Sequence, residues 1–129
     1  MKKIFWVILI TVLMFTVLIW EQIFVDNTLD VLAQKIENIE TEISVVENIN
    51  TEKIIDLSVD LDDFWTKKER ILCLFINHND LSKVGEQIKR MRNYIEQDDK
   101  EECETELDVL KFYAESYKHV MEINIQNLL

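Results

Sequence analysis

Glu115 and His119 stand four positions apart, a spacing that sets two side chains on one helix face and could offer two metal ligands together. Carboxylate-bridged metal centres in helical bundles need more: Glu-x-x-His pairs and further glutamates facing inward. Here the pair is Glu-x-x-x-His and occurs once, so no metal is assigned. His78, the other histidine, reads as a turn residue at the C-terminal end of a predicted helix over residues 52–77, where an imidazolium would complement the helix dipole. Asp56, Asp60 and Asp63, with Asp62 beside them, form an acidic stripe that could gather calcium. It lacks the glycine-bearing loop of a dedicated calcium site, and the adopted reading is a solvated face partly balanced by Lys67 and Lys68. Lys89, Arg90 and Arg92 are the one basic cluster. They could take an acidic partner, but they also answer the surrounding glutamates.

Two cysteines, Cys73 and Cys103, raise the question of a disulfide. Cys73 falls near the end of the second predicted helix and Cys103 near the start of the fourth. The third helix holds those ends apart by most of ~25 Å, of which ~10 Å is recovered because each cysteine lies inside its own helix. A disulfide needs Cα atoms within about 7 Å, so none is expected. Cys73, within Ile-Leu-Cys-Leu-Phe, reads as a small buried apolar residue. No Ser/His/Asp set, glycine-rich phosphate loop or paired-carboxylate motif is present. The expectation is therefore no catalytic residue, no cofactor, no small-molecule ligand and no enzyme.

The elements that must carry these residues begin with an apolar run. Lys2 and Lys3 precede residues 4–20, seventeen positions without a charge and with only Thr11 and Thr16 as polar interruptions. Seventeen helical residues rise ~25 Å against a hydrocarbon core of ~30 Å. Ile23, Phe24 and Val25 close the gap if Glu21 and Gln22 sit among the headgroups. Trp6 and Trp20 lie near the two ends, where indoles favour the membrane interface. Lys2, Lys3, Trp6 and Trp20 are thus expected as interface anchors. The lysines place the N-terminus in the cytoplasm by the positive-inside rule, and the rest outside. A cleaved signal peptide would need a small-x-small site, but Leu18, Trp20, Gln22 and Phe24 are bulky. A buried helix of a soluble protein is disfavoured by a run that is apolar on every face.

Beyond the run the composition changes. All 25 acidic residues follow Trp20, with 12 basic ones, a net of −13. That charge disfavours nucleic acid and disfavours lying flat on anionic lipid. It suits either simple solubility or a basic partner. One glycine and no proline leave too few turn residues for a β-rich domain. Leu29, Leu32, Ile36, Ile39, Ile43 and Val46 alternate three and four apart, a seam of about three heptads. Such a seam serves a parallel dimer or one face of an intramolecular bundle. The bundle is adopted because three more amphipathic helices follow.

These span residues 52–77 (Ile54, Leu57, Leu61, Phe64, Trp65, Ile71, Leu72, Phe75), 80–96 (Leu81, Val84, Ile88, Met91, Ile95) and 99–127 (Leu107, Leu110, Ala114, Tyr117, Met121, with Val120, Ile123 and Leu128 beside them). Asn50 or Thr51 caps the second, Asn79 or Asp80 the third, and Asp98 or Asp99 opens the fourth. The fold class is all-α: an N-terminal transmembrane helix, with Asp26 and Asn27 as the place for a bend, continues over residues 26–48 into an up-and-down four-helix bundle. Residues 1–25 form the anchor and 26–129 the outer domain.

The chain resembles the domain of unknown function 4363 family of small bacterial proteins. The resemblance is carried by Lys2 and Lys3 with the apolar span, and by Trp65 followed by Lys67 and Lys68. It extends to residues 74–81 (Leu-Phe-Ile-Asn-His-Asn-Asp-Leu) and to the closing residues 122–129 (Glu-Ile-Asn-Ile-Gln-Asn-Leu-Leu). It implies one span, a helical outer domain and a membrane-protein partner, and it transfers no functional residue. The expected function is a membrane-anchored helical interaction or accessory protein. It would bind by helix faces, to itself as a homodimer through the Leu29 to Val46 seam or to a membrane partner. The alternative is an extracytoplasmic sensor or ligand-binding bundle that signals through a partner.

Overall fold

The computed structural model describes the backbone of residues 1–128 and the side chains of residues 1–120. Among them are four helices and no strand: α1 (Lys2–Ser44), α2 (Glu52–Leu72), α3 (His78–Glu96) and α4 (Lys100–Leu128). At ~1.5 Å per residue, α1 is ~64 Å long, about twice the length of α2 or α3. It is unbroken through Asp26 and Asn27, and Thr28 there donates its hydroxyl to the Phe24 carbonyl at 2.7 Å.

Each helix packs on its neighbours in chain order, and α4 closes the ring onto α1. Ion pairs show the antiparallel register. Lys35 on α1 meets Asp60 on α2 at 2.5 Å, and Glu42 meets Lys53 at 2.8 Å. An advance along α1 is thus matched by an equal retreat along α2. Lys111 and Lys118 of α4 answer Glu40 and Asp30 of α1 in the same antiparallel sense. The core begins at Val25 and draws one stripe from every helix: Leu29, Leu32, Ile36, Ile39 and Ile43; Ile54, Leu61, Trp65 and Leu72; Leu81, Val84, Ile88, Met91 and Ile95; Cys103, Leu107, Leu110 and Ala114. Val46 is half-buried beyond the end of α1. Ile71 and Val120 are exposed and Tyr117 half-buried. Met121, Ile123 and Leu128 carry side chains outside the described residues.

Helix ends differ from the sequence reading in instructive ways. α1 stops at Ser44 rather than at 48. The Ser44 hydroxyl turns back to the Thr41 carbonyl at 2.7 Å, and the β-branched Val45 and Val46 do not favour another turn. The chain then bends to bury Ile49. α2 stops at Leu72 rather than 77, because the Leu72 carbonyl accepts from both Phe75 and Ile76, at 2.9 and 2.8 Å. That tight turn folds Phe75 and Ile76 back against the core. Thr51 caps α2. Asn77 caps α3 by accepting from the Asn79 amide at 2.9 Å, so Asn79 and Asp80 lie inside that helix. Asp99, accepting from the Glu102 amide at 3.2 Å, opens α4.

Candidate functional site at the two ends of the bundle

The residues with chemical potential are dispersed. Glu115 and His119 are both exposed, and no group of three His, Cys, Asp or Glu side chains able to hold a metal occurs among the described residues. His78 is the first residue of α3, not the end of α2. The α2 terminus falls five residues earlier than the sequence spacing suggests, because the Phe75 turn intervenes. Two concavities among the described residues are open to solvent. One runs along Leu13, Met14, Val17 and Leu18; the other along Asn38, Thr41, Glu42, Lys53 and Leu57.

Cys73, expected to be buried, is not. Cys73 is exposed at the C-cap of α2, and Cys103 is buried; both are free thiols. Cys73 lies one residue past the last core position of α2, so the early helix stop turns it outward. Burial, reinforced by the charges of Glu104, Asp99 and Glu106, pushes the Cys103 thiol up to about 12. A thiol held neutral in this way is inert.

The acidic stripe of α2 is balanced across helices rather than along its own. Asp60 pairs with Lys35 of α1, and Asp62 pairs with Arg92 of α3. Lys68, expected as a partner of the stripe, instead sits over the rings of Phe24 and Phe64, at 5.2 and 5.9 Å from their centroids. The basic cluster divides: Arg92 is spent on Asp62, and Lys89 and Arg90 point to solvent.

Two assemblies stand out, one at each end of the bundle. At the far end, Asp98 adopts φ 55°, the left-handed conformation that Asp tolerates better than most residues. Its Oδ1 accepts from the Ile49 and Asn50 amides at 2.7 and 3.2 Å. Asn50 donates its side-chain amide to the Glu96 carbonyl at 3.4 Å, and Lys100 donates to the Val46 carbonyl at 2.9 Å. The α1–α2 and α3–α4 turns are thereby clasped together.

At the near end, Trp20 stacks on Phe24, 5.4 Å between centroids, and meets Phe75 of the α2–α3 turn edge-on at 6.2 Å. The apolar run is thus tied to the bundle by aromatic contacts. Nearby, the Tyr117 hydroxyl donates to the Asp80 carbonyl at 2.8 Å, and burial with the Asp80 charge raises its pKa. Neither assembly was visible as a motif. Consecutive aspartates after a helix, Asp98 and Asp99, were the only hint of the clasp.

The seam residues Leu29, Leu32, Ile36, Ile39 and Ile43 are at most 2% exposed within the single chain. Lys2, Lys3, Trp6 and Trp20 are exposed, as is every residue from 1 to 20. Among the described residues, α1 is the one helix long and apolar enough to cross a membrane.

The family model described as Domain of unknown function (DUF4363) matches residues 19–128, which take in the aromatic base and the bundle. No curated protein and no solved structure matches the chain.

Proposed function

We propose that this chain, which belongs to the DUF4363 family, is a single-pass membrane protein whose bundle stands outside the cytoplasm as a docking module for a membrane partner. The observation that carries this reading is the contrast within α1: residues 4–20 are apolar and all exposed, while the same helix continues without a break into a closed core. An all-round apolar segment that no described residue covers calls for lipid as its surroundings. Lys2 and Lys3 support a cytoplasmic N-terminus.

Docking to another protein is favoured over self-association through the seam, because the seam is already covered by α2 and α4. A dimer built on it would have to open the bundle. The ligand-sensing alternative draws no support from these two concavities, which are open to solvent. The test is affinity purification of the tagged full-length protein from its own membranes after mild crosslinking, followed by mass spectrometry. One dominant membrane protein is the expected companion. Recovery of the chain alone would contradict the docking role, and a soluble, N-terminally trimmed product would contradict the anchor.

A further inference from the structure

The geometry points to a second membrane contact: the α2–α3 turn, led by Leu74, is seated in the lipid interface beside the span. The inference rests on the spanning reading and names the lipid surface as the partner of the bundle's base. Three contacts fix the level of this turn. Lys35 of α1 meets Asp60, Lys68 lies over Phe24, and Trp20 meets Phe75. Descending α1 from Lys35 to Trp20 therefore brings α2 and its turn down from Asp60 to Phe75, in matched steps. The turn ends level with Trp20, the indole that closes the apolar run.

The length of the run then decides where that level lies. Residues 4–20 cover ~25 Å of a ~30 Å hydrocarbon core, so the boundary reaches past Trp20 to the neighbourhood of Ile23, which is exposed. A turn level with Trp20 lies at or below that boundary. Leu74 in the turn is 75% exposed, and Ile71 of α2 and Ile23 of α1 face outward beside it; Asn77, His78 and Asn79, where the turn enters α3, are also exposed and suit the polar side of the interface. Lys67, Lys68 and Arg70 stand on the last turns of α2, roughly 8–12 Å above Trp20, within reach of phosphates. Glu21, Asp26 and Glu69 share this end, with Asp26 offset by Lys118. Insertion is thus led by the apolar turn, with the cations placed at headgroup depth. The strongly acidic remainder keeps the bundle upright rather than lying along the surface.

Cys73, exposed next to Leu74, offers the probe. The full-length protein with Cys103→Ala would be spin-labelled at Cys73 in vesicles of phosphatidylcholine and phosphatidylglycerol. Its accessibility to oxygen and to a water-soluble nickel chelate would be compared with labels at Leu13→Cys and Glu47→Cys, made in a Cys73→Ser, Cys103→Ala background. The expected oxygen-to-nickel ratio at Cys73 is several-fold above that at position 47 and below that at position 13. Leu74→Asp should lower it toward the position-47 value. A lipid-like value at position 13 with a Cys73 value equal to position 47 would overturn the seated turn and leave the span standing. An aqueous value at position 13 would overturn both.

Discussion

The two halves of α1 share a helix and differ in everything else. From 4 to 20 the apolar side chains surround the axis, and all are exposed; Leu9, among the least open, still shows 45%. From 25 to 43 they return every third or fourth residue with charges between, and Val25, Leu32, Ile36, Ile39 and Ile43 show none. Helix geometry is common to both, so the difference lies in the pattern. A single stripe can be covered by two neighbouring helices, here α2 and α4; an all-round surface cannot, and needs a different solvent. The change-over at Trp20 to Val25 is where the aromatic base of the bundle sits.

One charge placed in each half should separate them most clearly. Leu32→Asp should cost on the order of 4–5 kcal/mol and leave the bundle unfolded, as read by circular dichroism and denaturant titration. Leu13→Asp should leave the bundle's denaturation midpoint unchanged, while weakening membrane insertion by about 2.5–3.5 kcal/mol. Equal effects of the two on bundle stability would erase the distinction. Within the core, Trp65→Ala should cost about 3–5 kcal/mol through the cavity it leaves.

The clasp tests whether the far end holds the bundle closed. Asp98→Ala should cost about 1–3 kcal/mol, since the Ile49 amide then lacks its acceptor. Asp98→Asn should cost little, because Asn keeps the oxygen and tolerates the left-handed backbone. A smaller effect concerns pH. With its pKa raised from 9.0 to about 12 in the folded chain, Cys103 releases its proton first in the unfolded state. Stability should therefore be intact below about pH 9 and fall as pH climbs toward 12, and Cys103→Ala should flatten that slope. In the folded, detergent-solubilised protein a thiol reagent should modify Cys73 and spare Cys103.

The smallest change should be a gain. A Cβ at Gly85 would lie 3.6 Å from Trp65 Nε1, ordinary van der Waals contact, so Gly85→Ala should stabilise α3 by about 0.5–1 kcal/mol. Loss of stability there would mean that the Trp65 ring needs the open space.

Much of the architecture was legible because its signals are periodic. The seam and the stripes of α3 repeat at helical spacing, and a chain with one glycine and no proline has few other ways to fold. What was not legible depends on the chain meeting itself. Cys73 was read as buried from its apolar neighbours, but the Phe75 turn ends α2 at Leu72 and leaves the thiol outside. His78 was displaced from one helix to the next for the same reason. The acids of α2 looked answered by Lys67 and Lys68, whereas the cations that reach them, Lys35 and Arg92, lie 25 and 30 residues away. Asp98 bonds across 49 residues to a turn with no sequence signature.

Residues 4–20 are proposed to meet lipid, and the bundle to be complete without them. Vesicle flotation of the full-length protein, beside a chain beginning at Glu21, tests this directly. The full-length protein should rise with the vesicles and resist alkaline extraction, while the shortened chain stays soluble, helical and cooperatively folded. A full-length protein left at the bottom of the gradient, or a shortened chain that unfolds, would contradict it.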